Sequence, residues 1–223
     1  MEIANLNNIS FSPEKSSNGL INANLKIADD DIISIKTDER EDAYLLLKGL
    51  ATLSYPTEGT YELLNEKLDF SDYKNLLCAK KRIGYIGSDA TMLSNRSIRQ
   101  NLLLSGLFFK NDQSLEIDDE TMALCEKFGI VDVLDKRPYE LNHFHLHVSL
   151  SVREIMKRPK LLLMERPEDF IGYEYISMFA EDIYDVFLKD SAIVFFSASK
   201  YVRDTFKESE IEIQQGKLFQ DLE

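Results

Sequence analysis

Cysteine is scarce in this sequence, and its scarcity excludes two kinds of architecture. Cys78 and Cys125 are the only two cysteines among 223 residues. They lack the close spacing of a metal or redox motif, and two thiols are too few for a disulfide framework. We therefore expect the chain to work in a reducing compartment.

Basic residues are also few. The chain has 26 lysines and arginines against 39 acidic residues, which gives a formal net charge of −13 at pH 7. A surface of this sign repels a nucleic-acid backbone or an anionic lipid surface, and the sequence shows no local basic patch to offset it. Nucleic acid is therefore excluded from the expected partners.

Long apolar runs are missing too. No stretch reaches the about 18 uncharged apolar residues of a membrane span, and the first residues lack the basic flank and apolar run of a signal peptide. We expect a cytoplasmic chain that does not insert into a membrane. Its 44% hydrophobic content is enough for one core. Because no repeat or low-complexity linker divides it, we predict a single domain over 1–223.

Short apolar runs alternate with amphipathic stretches along the chain. After β-rich runs at the start, apolar positions at steps of three and four predict a helix over Glu41–Leu53. Later segments predict buried strands over Lys160–Met164 and Ala192–Phe196, with a helix over Tyr173–Leu188 between them. A hairpin with Gln215-Gly216 at its turn closes the chain. This order predicts an α/β fold with a mostly parallel, covered sheet.

All three histidines of the chain fall in the stretch "NHFHLHVSL". On a strand, His143, His145 and His147 would share one face and could ligate a catalytic zinc ion. On a helix that begins near Asn142 as its N-cap, His143 and His147 share a face while His145 points away. A metal-binding protein is therefore one hypothesis for the function.

Three stretches together resemble the ATPase subunits of ABC transporters in order, spacing and predicted secondary structure. They are "KRIGYIGSDATMLSNRSIRQNL", "LDKRPYELNHFHLHVSLSVREIMKRPK", and "LLLMERPEDF" followed by "AIVFFSAS" and "IEIQQGKLF". The resemblance implies a P-loop NTPase-like fold with an N-terminal antiparallel β subdomain and an inserted helical subdomain. It places the core with the β subdomain in 1–87 and 158–223, and the helical subdomain in 88–157.

The phosphate-binding loop of that family is not preserved here. Such a loop needs glycines, a lysine and a Ser/Thr to hold phosphates and magnesium. After "IISIK" this chain reads "TDEREDAYLLLKGL", with no glycine before Gly49. Asp38, Glu39, Glu41 and Asp42 stand where the resemblance puts the triphosphate. These acids should repel ATP; the alternative interpretation is that they cap the helix that follows.

The other family positions also carry changed residues. Ser88 stands for the Q-loop glutamine, and Glu165 stands for the aspartate that holds magnesium through water. Arg166 stands for the glutamate that activates the attacking water, yet an arginine keeps its proton in a protein and is no general base. Ala198 stands for the switch histidine. His143 occupies the first glycine position of the signature motif, where its bulk closes the approach to a γ-phosphate.

These changes predict a non-catalytic ABC ATPase-like subunit, a structural or regulatory component of a transport assembly. The resemblance implies ATP and magnesium as ligands, but the changed residues predict that this chain has no catalytic residue and uses neither ligand. A transporter subunit with residual ATP binding or hydrolysis is the alternative.

The resemblance also implies a membrane permease subunit as partner, with a second ATPase-like chain as a further one. Such a chain would lie on the cytoplasmic membrane face through the permease. The permease contact is predicted at Met92, Leu93, Ser94, Asn95 and Arg96. Its two large apolar side chains, Met92 and Leu93, would alternatively pack under their own subdomain.

Overall fold

The computed structural model describes residues 1–13, 16–110, 116–173, 175–187, 190–206 and 209–220. The strands in these ranges are β1 (Glu2–Phe11), β2 (Leu20–Ala28), β3 (Ile32–Thr37), β4 (Glu58–Leu63), β5 (Glu66–Lys67), β6 (Ile83–Ile86), β7 (Leu161–Glu165), β8 (Ala192–Phe196), β9 (Ser209–Gln214) and β10 (Lys217–Gln220). The helices are α1 (Arg40–Leu50), α2 (Tyr73–Lys80), α3 (Ile98–Lys110), α4 (Asp119–Lys127), α5 (His143–Ile155), α6 (Pro167–Ile171), α7 (Ile176–Phe187) and α8 (Lys200–Phe206).

The strands form two sheets. The first is antiparallel, with the order β2-β1-β4-β5. The second has the order β10-β9-β3-β8-β7-β6, and its neighbours run parallel except for the closing hairpin β9-β10. The predicted α/β class with a mostly parallel sheet and an antiparallel N-terminal sheet is confirmed.

The parallel sheet is covered on both faces, as its uniformly apolar strands require. All five residues of β7 and all five of β8 are buried. Leu161 and Leu163 pack into a core with α1 and the antiparallel sheet. Leu162 and Met164 point the other way, into a core shared with α3, α5 and α7. The period of two along β7 thus divides the apolar interior into two layers.

The predicted helices differ from the observed ones mainly at their ends. Helix α1 ends at Leu50 instead of Leu53, and the following turn has Thr52 at a left-handed φ of 57°. Helix α7 begins at Ile176 instead of Tyr173, and Leu188 lies outside the described residues. The sequence reasoning missed α2, whose N-cap Asp72 accepts a hydrogen bond of 2.8 Å from the backbone N of Lys74. The division at 88 and 157 stays a prediction.

Among the described residues, no helix combines the length and the apolar character that crossing a bilayer requires.

A buried carboxylate joins α1 to the segment between β1 and β2. Asp42 is 1% exposed. Its Oδ1 accepts hydrogen bonds from Ser17 Oγ at 2.8 Å and from the Asn18 backbone N at 2.7 Å, and its Oδ2 accepts one from Asn18 Nδ2 at 3.0 Å. Three donors compensate the cost of removing the charge from water. This side chain therefore fixes the antiparallel sheet on the helix that follows β3.

Replacing Asp42 by alanine should destabilise the fold, because three donors would lose their acceptor in a buried site. We expect Asp42→Ala to lower the free energy of unfolding by about 2–4 kcal/mol. Urea denaturation followed by circular dichroism measures this change. The matched control is Asp38→Ala, which removes an exposed acid from the same loop and should change stability by less than about 0.5 kcal/mol. Equal midpoints for the two variants would contradict the assignment.

Candidate functional site

Four of the residues singled out in the sequence lie at one edge of the parallel sheet. Asp38 follows β3, Ser88 follows β6, Glu165 ends β7 and Ala198 follows β8. Strands β3, β8, β7 and β6 are consecutive neighbours in the sheet and point the same way. Ligands of open α/β sheets bind beyond the carboxyl ends of the strands. The structure therefore brings these four positions to the edge where a ligand site is expected.

Hydrogen bonds within the loop between β3 and α1 stabilise its conformation. Thr37 Oγ1 accepts from the backbone N of Glu39 at 3.2 Å, and the backbone N of Asp42 donates to the Glu39 carbonyl at 3.0 Å. Glu39 is the N-cap of α1, but its side chain makes no capping hydrogen bond. Asp38 is exposed to solvent.

A cavity of about 530 Å³ lies beside this loop, and the hairpin β9-β10 forms its other wall. Asp38, Glu39 and Asp42 line it together with Lys217 and Phe219. The prediction that these acids stand together before a triphosphate needs one correction. The Asp42 carboxylate is buried inside the protein. Its burial is tolerated because Ser17 and Asn18 donate hydrogen bonds that compensate its charge.

Glu165 is a buried carboxylate with three donors. It is 2% exposed. Its Oε2 accepts hydrogen bonds from the backbone N of Ser88 at 2.9 Å and from Ser88 Oγ at 2.8 Å, while its Oε1 accepts one from the Tyr85 hydroxyl. Burial, and then the hydrogen bond to Glu165, raise the pKa of Tyr85, so this phenol keeps its proton and donates. The carboxylate thus ties the end of β7 to the loop after β6.

Arg166 pairs with acids of the helix that follows it. It adopts a left-handed φ of 50° as the N-cap of α6, and its Nη2 lies 3.0 Å from Asp169 Oδ1. Its Nε is 3.8 Å from Glu168 Oε1, too far for a hydrogen bond. Within the described residues, Arg166 Nε and Glu168 Oε2 are buried without a hydrogen-bond partner.

Glu168 is a second buried acid at this edge of the sheet. It is 3% exposed, and its Oε1 accepts a hydrogen bond of 2.8 Å from Ser197 Oγ at the end of β8. Burial raises the pKa of Glu168 above its ordinary value, and its bond to Ser197 offsets part of that rise. Ala198, the next residue after Ser197, is exposed and offers no polar side chain.

The stretch with three histidines forms the start of α5. Asn142 is the N-cap, and its Oδ1 accepts a hydrogen bond of 2.8 Å from the backbone N of His145. The rings of His143 and His147 lie 4.1 Å apart on one face. Burial, and then the neighbouring His143, lower the pKa of His147. The helical geometry predicted from the Asn142 N-cap is confirmed.

This geometry disfavours the metal hypothesis. His145 lies on a different face of α5 from His143 and His147, because residues two apart on a helix do not share a face. In the part of the chain that the structure describes, no group of three or more His, Cys, Asp or Glu side chains is arranged to hold a metal ion. A helix over His143–Ile155 therefore carries two imidazoles in contact, with their planes tilted by 49°, where a strand would have carried three ligands on one face.

The predicted permease contact divides into a buried and an exposed part. Met92 is 8% exposed and packs in the core with α3 and α5, so it offers no contact surface. Leu93 is 51% exposed, and Ser94, Asn95 and Arg96 are also exposed. For Met92, the alternative interpretation of packing under its own subdomain agrees with the structure, while the contact at the other four residues stays a prediction.

A single buried side chain holds this exposed loop in place. Asn101 of α3 is 0% exposed. Its Oδ1 accepts from the backbone N of Leu93 at 2.8 Å, and its Nδ2 donates to the carbonyls of Leu93, Arg96 and Ser97 at 3.0–3.3 Å. The loop therefore has a fixed shape against α3.

Sequence reasoning missed several residues of this region: Tyr85, Asn101, Glu168 and Ser197. Tyr85 lies in β6 and Ser197 directly follows β8, both beside apolar residues, whereas Glu168 lies in α6. A polar side chain at the end of a buried strand is a signal that could have been used, since it must find a partner inside the protein. The partner itself could not be read from the sequence.

Comparisons with known proteins agree with this fold. No family model matches the sequence. The chain is 27% identical over 123 residues to YvcR, an ABC transporter ATP-binding protein of Bacillus subtilis, and the match spans 55% of this chain and 47% of YvcR. The chain spans half or less of the length of the first curated relatives that it matches.

Solved structures match over nearly the whole chain. The ATP-binding cassette MJ0796 bound to ADP and Pi has a TM-score of 0.80 at 17% identity and covers 98% of both chains. CbiO1 from Clostridium perfringens, part of the ABC transporter complex cbiONQ, has a TM-score of 0.78 at 15% identity, over 98% of this chain and 87% of CbiO1. The predicted ABC ATPase fold is confirmed. The chain therefore has the fold of the ABC ATPases, and the sequence relatives that it resembles are ATP-binding proteins of ABC transporters.

Proposed function

We propose that this chain is a non-catalytic ABC transporter ATPase-like subunit, a structural or regulatory component of a membrane transport assembly. The observation that carries the proposal is the closed network around Glu165. The carboxylate that the resemblance assigns to magnesium accepts three hydrogen bonds from Ser88 and Tyr85 and is almost fully buried. The hydrogen bonds of this carboxylate are thus made to other groups inside the protein.

Magnesium and ATP do not fit the residues at this edge of the sheet. Magnesium needs near-ideal octahedral oxygen ligation and keeps several waters, which a buried carboxylate engaged with three donors does not provide. Asp38 and Glu39 stand in the loop where the resemblance puts the phosphates, and they line the cavity beside it. Two like charges about 4 Å apart at a protein's effective dielectric repel by about 4 kcal/mol. No step of ATP hydrolysis is therefore assigned to these residues.

The position of the general base supports the same proposal. Arg166 cannot accept a proton and is paired with Asp169. Glu168, two residues further on, is a carboxylate, but it is 3% exposed and accepts a hydrogen bond from Ser197, so solvent has little access to it. Neither side chain can activate a nucleophile in this arrangement.

For the partner, we propose a membrane permease that contacts the exposed loop Leu93–Arg96. CbiO1, a structural neighbour, is part of a transporter complex, and this chain has its fold. The Leu93 side chain is half exposed on a loop that Asn101 holds rigidly, which suits a docking surface. A second ATPase-like chain is a further proposed partner, and the assembly would lie on the cytoplasmic membrane face.

The first test is nucleotide binding. We expect no saturable binding of a fluorescent ATP analogue at micromolar concentrations, with or without magnesium, because the phosphate loop is acidic and Glu165 is engaged. Equilibrium fluorescence anisotropy measures this, with MJ0796 as the positive control. Micromolar affinity for this chain would overturn the proposal in favour of a subunit with residual ATP binding.

The second test measures how the free energy of unfolding changes with pH as Glu168 loses its proton. Its pKa is raised in the folded state, so the folded protein holds the proton more tightly than the unfolded chain, whose carboxyl keeps its ordinary value near 4.5. The free energy of unfolding should therefore fall as pH rises from that value through the folded-state pKa.

Glu168→Gln should remove this fall and be more stable than the native chain at neutral pH. Urea denaturation across pH measures it, with exposed Glu66→Gln as the control; parallel profiles for Glu168→Gln and the native chain would refute the explanation.

The third test addresses the permease. Leu93→Asp should reduce the amount of permease that co-purifies with the tagged chain from its native membrane by about tenfold, since a buried leucine contact stabilises by about 1.5–3 kcal/mol. The matched control is Leu53→Asp, because Leu53 is 52% exposed and Leu93 51%. Equal loss in both variants, or no loss with Leu93→Asp, would reject this loop as the contact.

A further inference from the structure

A cleft at the opposite edge of the parallel sheet gathers positive charge in an acidic protein. Its volume is about 550 Å³, and it lies where β6, β7 and β8 begin. Four basic side chains line it: Arg82, Lys127, Arg158 and Lys160. Among the lining residues that the structure describes, Glu120 is the only acid. The chain as a whole carries −13, so this local excess is not a consequence of composition.

Backbone hydrogen bonds place two of these residues, Arg82 and Lys160, next to each other at the start of β6 and β7. The backbone N of Lys160 donates to the Arg82 carbonyl at 2.7 Å, and the backbone N of Ala192 donates to the Lys160 carbonyl at 2.9 Å. Lys160 Nζ donates to the carbonyl of Asp190 at 3.0 Å. Within the described residues, the Arg82 guanidinium has no ion-pair partner. Arg82 therefore offers a planar fork of donors suited to a carboxylate or phosphate.

The other two cations have acidic neighbours. Lys127 Nζ lies 3.4 Å from Asp182 and 3.1 Å from Asp185. Arg158 is paired with Glu120, and their side chains are 66% and 65% exposed. Exposed pairs of this kind contribute little to stability, so an anionic ligand can take the place of Glu120.

The backbone at Arg158 has a left-handed conformation. Its φ is 51°, in the left-handed region that glycine adopts without cost and that other residues adopt with strain. Glycine would adopt this conformation with less strain than arginine does, and Arg158 lines the cleft.

The remaining walls are largely apolar and include Leu124, Ile155, Met156 and Pro159. Small-molecule sites have volumes of about 300–1,000 Å³, mostly apolar walls and a few well-placed polar groups. We propose that this cleft binds a small organic anion, with an apolar body against these side chains and a phosphate or carboxylate group at Arg82, Arg158 and Lys160. The inference does not depend on the proposed loss of ATPase activity, because the cleft lies at the other edge of the sheet.

Isothermal titration calorimetry with naphthyl phosphate tests the proposal. We expect saturable binding that becomes about tenfold weaker or more in the double variant Arg82→Gln/Lys160→Gln, because charge-assisted hydrogen bonds are lost. The double variant Lys36→Gln/Lys200→Gln removes the same charge from a different cleft and should bind as the native chain does. Uncharged naphthol should bind about tenfold more weakly or worse.

A second variant separates ligand binding from stability. Arg158→Gly should keep or raise the melting temperature and still weaken naphthyl phosphate binding, because the backbone strain is relieved while a donor is lost. Circular dichroism melts of all variants show that they are folded. Absence of saturable binding to the native chain at millimolar concentration would overturn the proposal, as would equal affinity in the native chain, Arg82→Gln/Lys160→Gln and Arg158→Gly.

Discussion

Strands β7 and β8 are buried on both faces of the parallel sheet, and this burial also removes polar groups at their ends from water. A group removed from water must bond within the protein or destabilise it. Glu165 at the end of β7 bonds to Ser88 and Tyr85, and Ser197 at the end of β8 bonds to Glu168. The carboxyl edge of the sheet is therefore a set of internal contacts that connect neighbouring loops.

The same principle explains the acidic segment after β3. In nucleotide-binding relatives of this fold, backbone N–H groups at a helix N-terminus are matched with phosphate. Here Asp42 in the first turn of α1 is matched with Ser17 and Asn18, so the negative charge belongs to the chain itself. The carboxylate in the first turn of this helix thus connects α1 to the segment between β1 and β2.

Local pattern was enough to predict much of this structure, but not its long contacts. The uniform apolar runs gave β7 and β8, and the N-cap Asn142 gave the start of α5 and the orientation of His143 against His145. The contacts that define the candidate site join residues far apart in sequence: Ser88 is 77 residues from Glu165. No local periodicity encodes such a pairing, since it depends on which strands become neighbours. The burial of Met92 was likewise left open because composition alone does not orient a loop side chain.

The loop that carries Leu93 is fastened at both ends, by Ser88 on Glu165 and by the backbone bonds to Asn101. Ordering a free loop costs about 1–2 kcal/mol of conformational entropy per residue. This loop is already ordered in the folded chain. An association through this surface loses little entropy on the side of this chain, and its contacts translate more fully into affinity. Because each of these bonds is made within the chain, the fold itself sets the shape of this surface.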